Sequence, residues 1–231
     1  MHEDEMLSSD RREKSRRRRR TRRRKSIRPV LTGLLAVLVV AVGVLLWFRF
    51  RPLPGEGVAV PAYVTENLLP VNRFSRPGIP LKKIDGVVIH YVGNPATTAE
   101  ANRNYFASLA DGREGTFAGS HFIVGLEGEV LQCVPLTEIA YASNDRNGDT
   151  VSIEVCHPDE TGEFSRETYE QVIGLTAWLC HTFKLDPETE VIRHYDVTGK
   201  VCPRYYVEHP GAWEQFLADT ASALKQLEEA P

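Results

Sequence analysis

Residues 87–91 read VVIHY, and this stretch guides the interpretation of the fold around it. Its first three residues are β-branched and apolar, a composition that favours an extended strand buried on both faces. The run ends at His90, so the strand is expected to carry an imidazole to its end. We therefore predict a central, buried strand with a chemically useful side chain where it stops.

Strands and helices alternate around this central strand. Apolar or alternating runs bounded by turn residues predict further strands at residues 121–124, 130–133, 151–156 and 191–193, the first two forming a hairpin. Capping residues followed by helical apolar spacing predict helices at residues 98–109, at 165–183 and from about 210 onward. One hairpin within an alternating pattern predicts an α/β fold, a single domain over residues 81–231 with a central mixed β-sheet flanked by helices.

Residues 49–80 are predicted to form a linker and an N-terminal arm, because proline and glycine recur throughout them. Leu68, Leu69 and Val71 are the apolar residues expected to pack this arm on the surface of the domain.

Residues 30–48 read VLTGLLAVLVVAVGVLLWF and contain no charged residue. Nineteen residues at 1.5 Å each make a helix of roughly 28 Å, close to the hydrocarbon thickness of a bilayer. The run is longer than the apolar region of a cleaved signal peptide, and no small-residue cleavage site follows it. We therefore predict one transmembrane helix that is retained as a single-pass anchor.

Charge predicts the orientation of this helix. Thirteen of the 28 basic residues lie between Arg11 and Arg28, whereas only Arg49 and Arg51 follow the span closely. Because flanking Lys and Arg stay inside, residues 1–29 are predicted to be a basic cytoplasmic tail, with the later domain outside the cell membrane. The alternative for the basic run is nucleic-acid binding, but its place beside the span favours topology and anionic lipid. No nucleic-acid partner is expected.

Four cysteines lie in the part predicted to be exported, where disulfides can persist. Cys133, Cys156 and Cys180 occur in apolar stretches, which leaves buried free thiols and a disulfide equally open. The fourth, Cys202, has a different setting.

Three side chains stand out as candidate metal ligands. His90 and His194 each end a predicted strand, and Cys202 follows His194 by eight residues. Two imidazoles and a thiolate can bind one cation and leave a tetrahedral position open, as a catalytic zinc site requires. Spacing alone is also compatible with histidines that only make structural hydrogen bonds.

Four motifs in order carry a family resemblance: VIHYVGN at residues 88–94, SHFIV at 120–124, VSIEV at 151–155, and RHYD followed by KVCP over 193–203. Across residues 84–224 the chain resembles the type-2 N-acetylmuramoyl-L-alanine amidases, a zinc family that includes endolysins, autolysins and peptidoglycan-recognition proteins. The resemblance implies one Zn²⁺ in a surface groove, within a zinc amidase domain at residues 81–231. It also implies hydrolysis of the peptidoglycan amide between N-acetylmuramic acid and L-Ala of the stem peptide.

The resemblance also assigns roles to residues. His90, His194 and Cys202 match the zinc ligands, Lys200 matches a lysine that stabilises the oxyanion, and Glu154 matches the general base of one branch of the family. The other branch places a tyrosine where this chain has Ser120, a departure that favours Glu154 as the base.

Further residues are expected to line the substrate groove: Asn94, His121 and Thr198, with Arg204 as an additional candidate. His121 has a second interpretation as a buried, hydrogen-bonded histidine. The remaining histidines past the span, His157, His181 and His209, are expected to be ordinary surface residues.

Two alternatives to the amidase remain at this level. Some relatives bind peptidoglycan without cutting it, so a non-catalytic recognition module is one. A thiol hydrolase with Cys202 as nucleophile and His194 as base is the other. The stem-peptide preference, the biological role and the oligomeric state stay open.

Overall fold

The computed structural model describes residues 2–229, without the side chains of residues 2–10, 18–28 and 48–49. It separates into two compact units, Met1–Pro52 and Leu53–Pro231.

The first unit is one helix, α1, which runs from His2 to Phe50 and contains Pro29. The hydroxyl of Thr32 donates to the carbonyl oxygen of Pro29 at 3.0 Å. Within α1, the 19 residues Pro29–Trp47 are long and apolar enough to cross a membrane, and none of this segment is buried in the structure. The segment coincides with the predicted span to within one residue at either end. Membrane anchors and signal sequences share this property.

The second unit is built on one six-stranded mixed sheet, which confirms the predicted fold class. Its strands in chain order are β1 (Val64–Glu66), β2 (Val87–Tyr91), β3 (Phe122–Val124), β4 (Val130–Gln132), β5 (Val151–Val155) and β6 (Val191–Arg193). Across the sheet the order is β1-β4-β3-β5-β2-β6. Only β3 and β4 pair in antiparallel fashion, as the predicted hairpin, and the other neighbours are parallel.

Helices cover both faces of this sheet. They are α2 (Ala99–Ser108), α3 (Arg166–Phe183), α4 (Pro187–Glu190), α5 (His194–Thr198), α6 (Arg204–Glu208) and α7 (Pro210–Glu229). Phe122 packs in the apolar cluster shared with α3 and α7, whereas the next residue, Ile123, packs in the cluster shared with α2. This alternation is the two-residue period of a strand with two buried faces. The central strand is accordingly buried, with Val87, Val88 and Ile89 all inaccessible.

The predicted helix starts are confirmed by their capping contacts. The Thr98 hydroxyl accepts from the backbone N–H of Ala101 at 3.1 Å, and the Ser165 hydroxyl accepts from that of Thr168 at 3.2 Å. Each bond satisfies a backbone donor that the first turn of a helix cannot pair internally.

The N-terminal arm is more deeply built into the domain than its composition suggests. Its strand β1 extends the sheet by pairing with β4, and Leu69 is fully buried while Val71 is exposed. Arg103 donates to the carbonyl oxygens of Asn67 and Leu68 at 3.2 and 3.0 Å. The compact unit therefore begins at Leu53, well before the predicted domain boundary at residue 81. The arm was predicted to begin as a linker because of its prolines, but the pairing of β1 with β4 and the contacts of Arg103 order it.

A bidentate ion pair holds the end of the arm. Arg76 donates to both carboxylate oxygens of Glu138, at 2.8 and 2.7 Å, and to the carbonyl oxygen of Leu69 at 2.8 Å. The side chains of Arg76 and Glu138 are only 15% and 18% exposed. If one of them is removed, water can form few hydrogen bonds to the charged group that remains.

We expect Arg76→Ala to lower the free energy of unfolding by about 2–3 kcal/mol, because it leaves the largely buried carboxylate of Glu138 without its partner. Chemical denaturation of the protein in detergent measures the change. Arg113→Ala is the matched control, since Arg113 faces Asp111 from a side chain that is 87% exposed, and its effect should stay below about 0.5 kcal/mol. Equal effects of the two substitutions would contradict the role of the Arg76 clamp.

Candidate metal centre and catalytic groove

Three neighbouring parallel strands, β5, β2 and β6, bring the candidate site together at one edge of the sheet. His90 lies near the end of β2, and His194 follows β6 directly as the first residue of α5. After α5 the chain turns back, and the backbone N–H of Tyr195 donates to the carbonyl oxygen of Cys202 at 2.9 Å. This closed loop explains why a spacing of eight residues places an imidazole and a thiol side by side.

The predicted ligands His90, His194 and Cys202 form one buried cluster. One potential ligand atom from each lies within 4.8 Å of the other two. The sulfur of Cys202 is 3.9 Å from Nδ1 of His90, and the two imidazole rings have centroids 4.6 Å apart. Two nitrogens and one sulfur in this arrangement fit a tetrahedral cation such as Zn²⁺ with one position left for chemistry.

Burial sets the protonation of the two histidines. It lowers the pKa of His90 well below the usual value, an effect that the nearby charges of His194 and Lys200 reinforce. Burial followed by the Lys200 charge also lowers the pKa of His194. Both imidazoles are therefore held in the neutral form, which is the form that binds a metal.

The Cys202 thiol is held in the protonated form in the absence of a cation. Burial, aided by the nearby Glu154 carboxyl, raises its pKa to about 12, against the smaller lowering effects of the Tyr91 backbone and Lys200. A thiolate requires a positive partner in such surroundings, and a divalent cation supplies one.

Glu154 occupies the position on β5 that pairs in register with His90 on β2. One of its carboxyl oxygens, Oε2, is buried and has no hydrogen-bond partner among the described residues. Burial raises the pKa of Glu154 to about 8, and the charge of Lys200 acts in the opposite direction. A buried, unpartnered carboxyl beside a donor cluster is typical of a functional site, since a purely structural role would satisfy its oxygen atoms.

These groups open into a groove of about 400 Å³. It is lined by the cluster with Glu154 and Lys200, by four aromatic residues (Tyr91, Phe106, Phe117 and Tyr141), and by Ala118, Gly119, Ala142, Asn144 and Asn147. Phe117 lies edge-on to Tyr141 with centroids 5.6 Å apart. The groove lining thus combines polar and charged groups with four aromatic rings.

Sequence reasoning missed two neighbours of the histidines. The Ser143 hydroxyl lies 3.1 Å from Nε2 of His90, and Oδ1 of Asn144 lies 3.0 Å from Nε2 of His194. Both belong to the polar run SNDRN at residues 143–147. The density of hydrogen-bonding side chains in this run was the sequence feature that could have identified them.

The structure does not bring the three predicted substrate contacts into the groove lining. His121 is buried, with Nδ1 3.0 Å from the Ser152 hydroxyl and Nε2 2.9 Å from the carbonyl oxygen of Glu138. These contacts match its second interpretation as a buried, hydrogen-bonded histidine, and its contact with substrate stays a prediction. Asn94 and Thr198 are exposed outside the lining, where their contact with substrate stays a prediction.

His157 also departs from the expectation of a surface residue. It is buried, with its ring nitrogens 2.7 and 2.6 Å from the carbonyl oxygens of Val92 and Asp159. His181 is partly buried, and His209 is exposed as expected. All four cysteines are free and buried, so the structure favours thiols over a disulfide.

The fold and the site together define a class: an α/β domain that carries a His–His–Cys metal-type centre beside a buried carboxyl. Within that class, residues 80–205 match the family model described as N-acetylmuramoyl-L-alanine amidase. The chain belongs to this amidase family.

Curated relatives agree with this assignment. The chain is 30% identical over 172 residues to the N-acetylmuramoyl-L-alanine amidase BlyA of Bacillus subtilis (strain 168), covering 66% of this chain and 45% of the relative. It is 33% identical over 175 residues to a probable N-acetylmuramoyl-L-alanine amidase of Bacillus licheniformis, covering 70% and 48%. The chain thus spans about half the length of the curated relatives that it matches.

Solved structures support the fold. The catalytic domain of XlyA superposes with a TM-score of 0.56 at 23% identity, covering 68% of this chain and 98% of that one. PlyL superposes with a TM-score of 0.58 at 20% identity, covering 68% and 96%.

We expect Glu154→Gln to stabilise the metal-free protein at alkaline pH. Because burial raises the pKa of Glu154 to about 8 from 4.5, the folded state keeps a proton that the unfolded chain releases. Wild-type stability should fall relative to the amide variant as pH rises from about 4.5 to about 8, by a few kcal/mol, and level off above that.

Thermal unfolding in chelator between pH 4 and pH 9 measures this difference. Glu127→Gln, at an exposed position, is the matched control. A difference between Glu154→Gln and wild type that does not change with pH would contradict the buried, protonated carboxyl.

Proposed function

We propose that this protein is a zinc-dependent N-acetylmuramoyl-L-alanine amidase that hydrolyses the peptidoglycan amide between N-acetylmuramic acid and L-Ala of the stem peptide. The observation that carries the proposal is the buried cluster of His90, His194 and Cys202 directly beside the unpartnered carboxyl of Glu154. Family membership and the relatives named N-acetylmuramoyl-L-alanine amidases point the same way.

The three cluster residues would hold the zinc ion, because their donor set has the composition of a catalytic centre with one open position. Zinc bound there would supply Lewis acidity toward the scissile carbonyl and acidity to a water molecule. Neutral imidazoles are ready to bind it, whereas the Cys202 thiol must release a proton on binding.

Glu154 is the proposed general base. Its carboxyl lines the groove, and its Oε2 makes no competing hydrogen bond to a described residue, so it is available to accept a proton from water. A base whose pKa lies near neutrality can also return that proton, here to the departing amine of L-Ala. Burial provides the raised pKa, and the Lys200 charge limits the rise.

Lys200 is the proposed oxyanion-stabilising residue. It lines the groove, and its charge lowers the pKa of His90, Glu154, His194 and Cys202 alike. A cation that acts on all four groups lies close to the space between them, where the carbonyl oxygen gains negative charge during hydrolysis.

A thiol hydrolase is less compatible with this site. The base assigned in that mechanism is His194, but the imidazole at hydrogen-bonding distance from the Cys202 sulfur is that of His90, at 3.9 Å. The pKa of the thiol is raised to about 12 instead of lowered, so little thiolate would be available without a cation.

We also propose that α1 anchors the protein in the cell membrane. The apolar length of Pro29–Trp47 supports a single-pass span, and the basic run before it supports a cytoplasmic N-terminus. The amidase domain would then lie outside the cytoplasmic membrane, on the side where its proposed partner, peptidoglycan, is found.

We expect the zinc-loaded protein to release new L-Ala amino termini from purified sacculi, and a chelator to abolish the release. Glu154→Gln should lower kcat by about 10²- to 10⁴-fold, as loss of a general base does, while zinc content stays stoichiometric. Amino-group labelling of the digest and metal analysis of the same samples provide the measurements.

Wild-type protein that binds sacculi and retains zinc, yet releases no amino termini, would contradict the amidase and favour the recognition module. Glu127→Gln, at an exposed position outside the groove lining, controls for handling and should retain full activity.

We expect Cys202→Asp to retain stoichiometric zinc and part of the activity, because a carboxylate is also a zinc ligand. Metal analysis and the sacculus assay test this, with Cys180→Ala as the matched control for a buried thiol outside the groove. Activity that survives chelation in the wild type and is lost in Cys202→Asp would instead support a thiol enzyme.

A further inference from the structure

Two adjacent residues of the loop between β4 and β5 each contact a different histidine of the metal centre. The Ser143 hydroxyl is 3.1 Å from Nε2 of His90, and Oδ1 of Asn144 is 3.0 Å from Nε2 of His194. We infer that the segment 143–147, called here the 143–147 turn, positions both histidines for metal binding. The inference rests on the metal centre of the proposed function and adds Ser143 and Asn144 to it as positioning residues.

The contacts engage the same nitrogen, Nε2, in both rings, and the Asn144 contact also selects the tautomer of His194. Oδ1 of Asn144 is an acceptor, so Nε2 of His194 must donate, and the lone pair of that ring is then on Nδ1. In His90, Nδ1 is the nitrogen that faces the Cys202 sulfur, which leaves Nε2 for the hydroxyl of Ser143. Outer hydrogen bonds of this kind fix the orientation and the basicity of a ligand histidine.

The turn is rigid enough to do this. Oδ1 of Asn147 accepts from the backbone N–H groups of Ala142 and Ser143 at 3.1 and 2.6 Å. The N–H of Arg146 donates to the carbonyl oxygen of Ser143 at 3.0 Å, and the Thr150 hydroxyl donates to that of Arg146 at 2.7 Å. These bonds hold the backbone of the turn independently of the two histidines.

Asn144 adopts a backbone conformation that suits its identity. Its φ of 51° lies in the left-handed region, which asparagine tolerates better than most residues and glycine tolerates freely. The side chain lies at the surface, so its substitution should remove the contact to His194 without disturbing the core.

The arrangement solves a geometric problem of the site. His90 lies on β2 and His194 begins α5 directly after the neighbouring strand β6, so their relative positions depend on the side-chain torsions of two separate elements. A single turn that contacts both rings couples those torsions, so the donors converge before a cation arrives.

The experiment compares zinc affinity in the full-length protein in detergent by competition with a chromophoric chelator. Ser143→Ala and Asn144→Gly should each weaken zinc binding by about 10- to 100-fold. Asn144→Asp keeps an acceptor oxygen at the same place and should restore binding to about the wild-type level. The visible spectrum of the Co²⁺ form should change in Asn144→Gly and return in Asn144→Asp, a response that a merely structural role would not produce.

Thr176→Val is the matched control, because it removes a buried hydroxyl bond to the carbonyl oxygen of Val172 within α3, outside both the 143–147 turn and the groove lining. It should lower thermal stability and leave zinc affinity unchanged. If the wild type binds zinc, and Ser143→Ala and Asn144→Gly bind it with affinities within about twofold of the wild-type value, the positioning role alone is overturned. Wild-type protein that binds no zinc would overturn the metal centre itself, and the inference with it.

Discussion

The parallel register of β5, β2 and β6 is the constraint on which the site depends. Because parallel neighbours end at the same edge of a sheet, residues far apart in the chain arrive together there. His90 pairs with Glu154 across β2 and β5, and β6 delivers His194 beside them. The buried apolar residues of these strands hold the register, since a one-residue slip would turn each side chain to the opposite face. The hydrophobic core thus sets the geometry of the polar cluster.

Local sequence signals predicted most of the fold, and the failure at the arm has a physical reason. The β-branched run at β2 and the caps Thr98 and Ser165 act within a few residues, so a linear pattern contains them. Strand β1 has only three residues in a proline-rich segment, and its order comes from pairing with β4 and from contacts of Arg76 and Arg103. Contacts between distant segments leave little trace in local composition.

The site shows the same division between residue type and environment. Spacing and family resemblance identified His90, His194 and Cys202, because the residue type alone determines whether a side chain can donate to a metal. The setting of His157 was mispredicted and that of His121 was left open, because burial and backbone acceptors, which the residue type does not encode, determine what a histidine does. Ser143 and Asn144 were overlooked for the converse reason, since common polar residues gain meaning only from what they contact.

Without a metal ion, burial keeps the ionisable groups of the site neutral, and this couples metal binding to protonation. Burial raises the pKa of both Glu154 and Cys202, so each acid prefers to remain neutral, while the two histidines are also kept neutral. Four ionisable groups thus lie in one pocket with little charge of their own, next to the Lys200 cation. A divalent cation would lower the pKa of the thiol and of the carboxyl together, so binding and proton release are linked. The same burial that makes these groups costly to ionise without a metal would therefore strengthen their attraction for a cation, because screening by water is weak there.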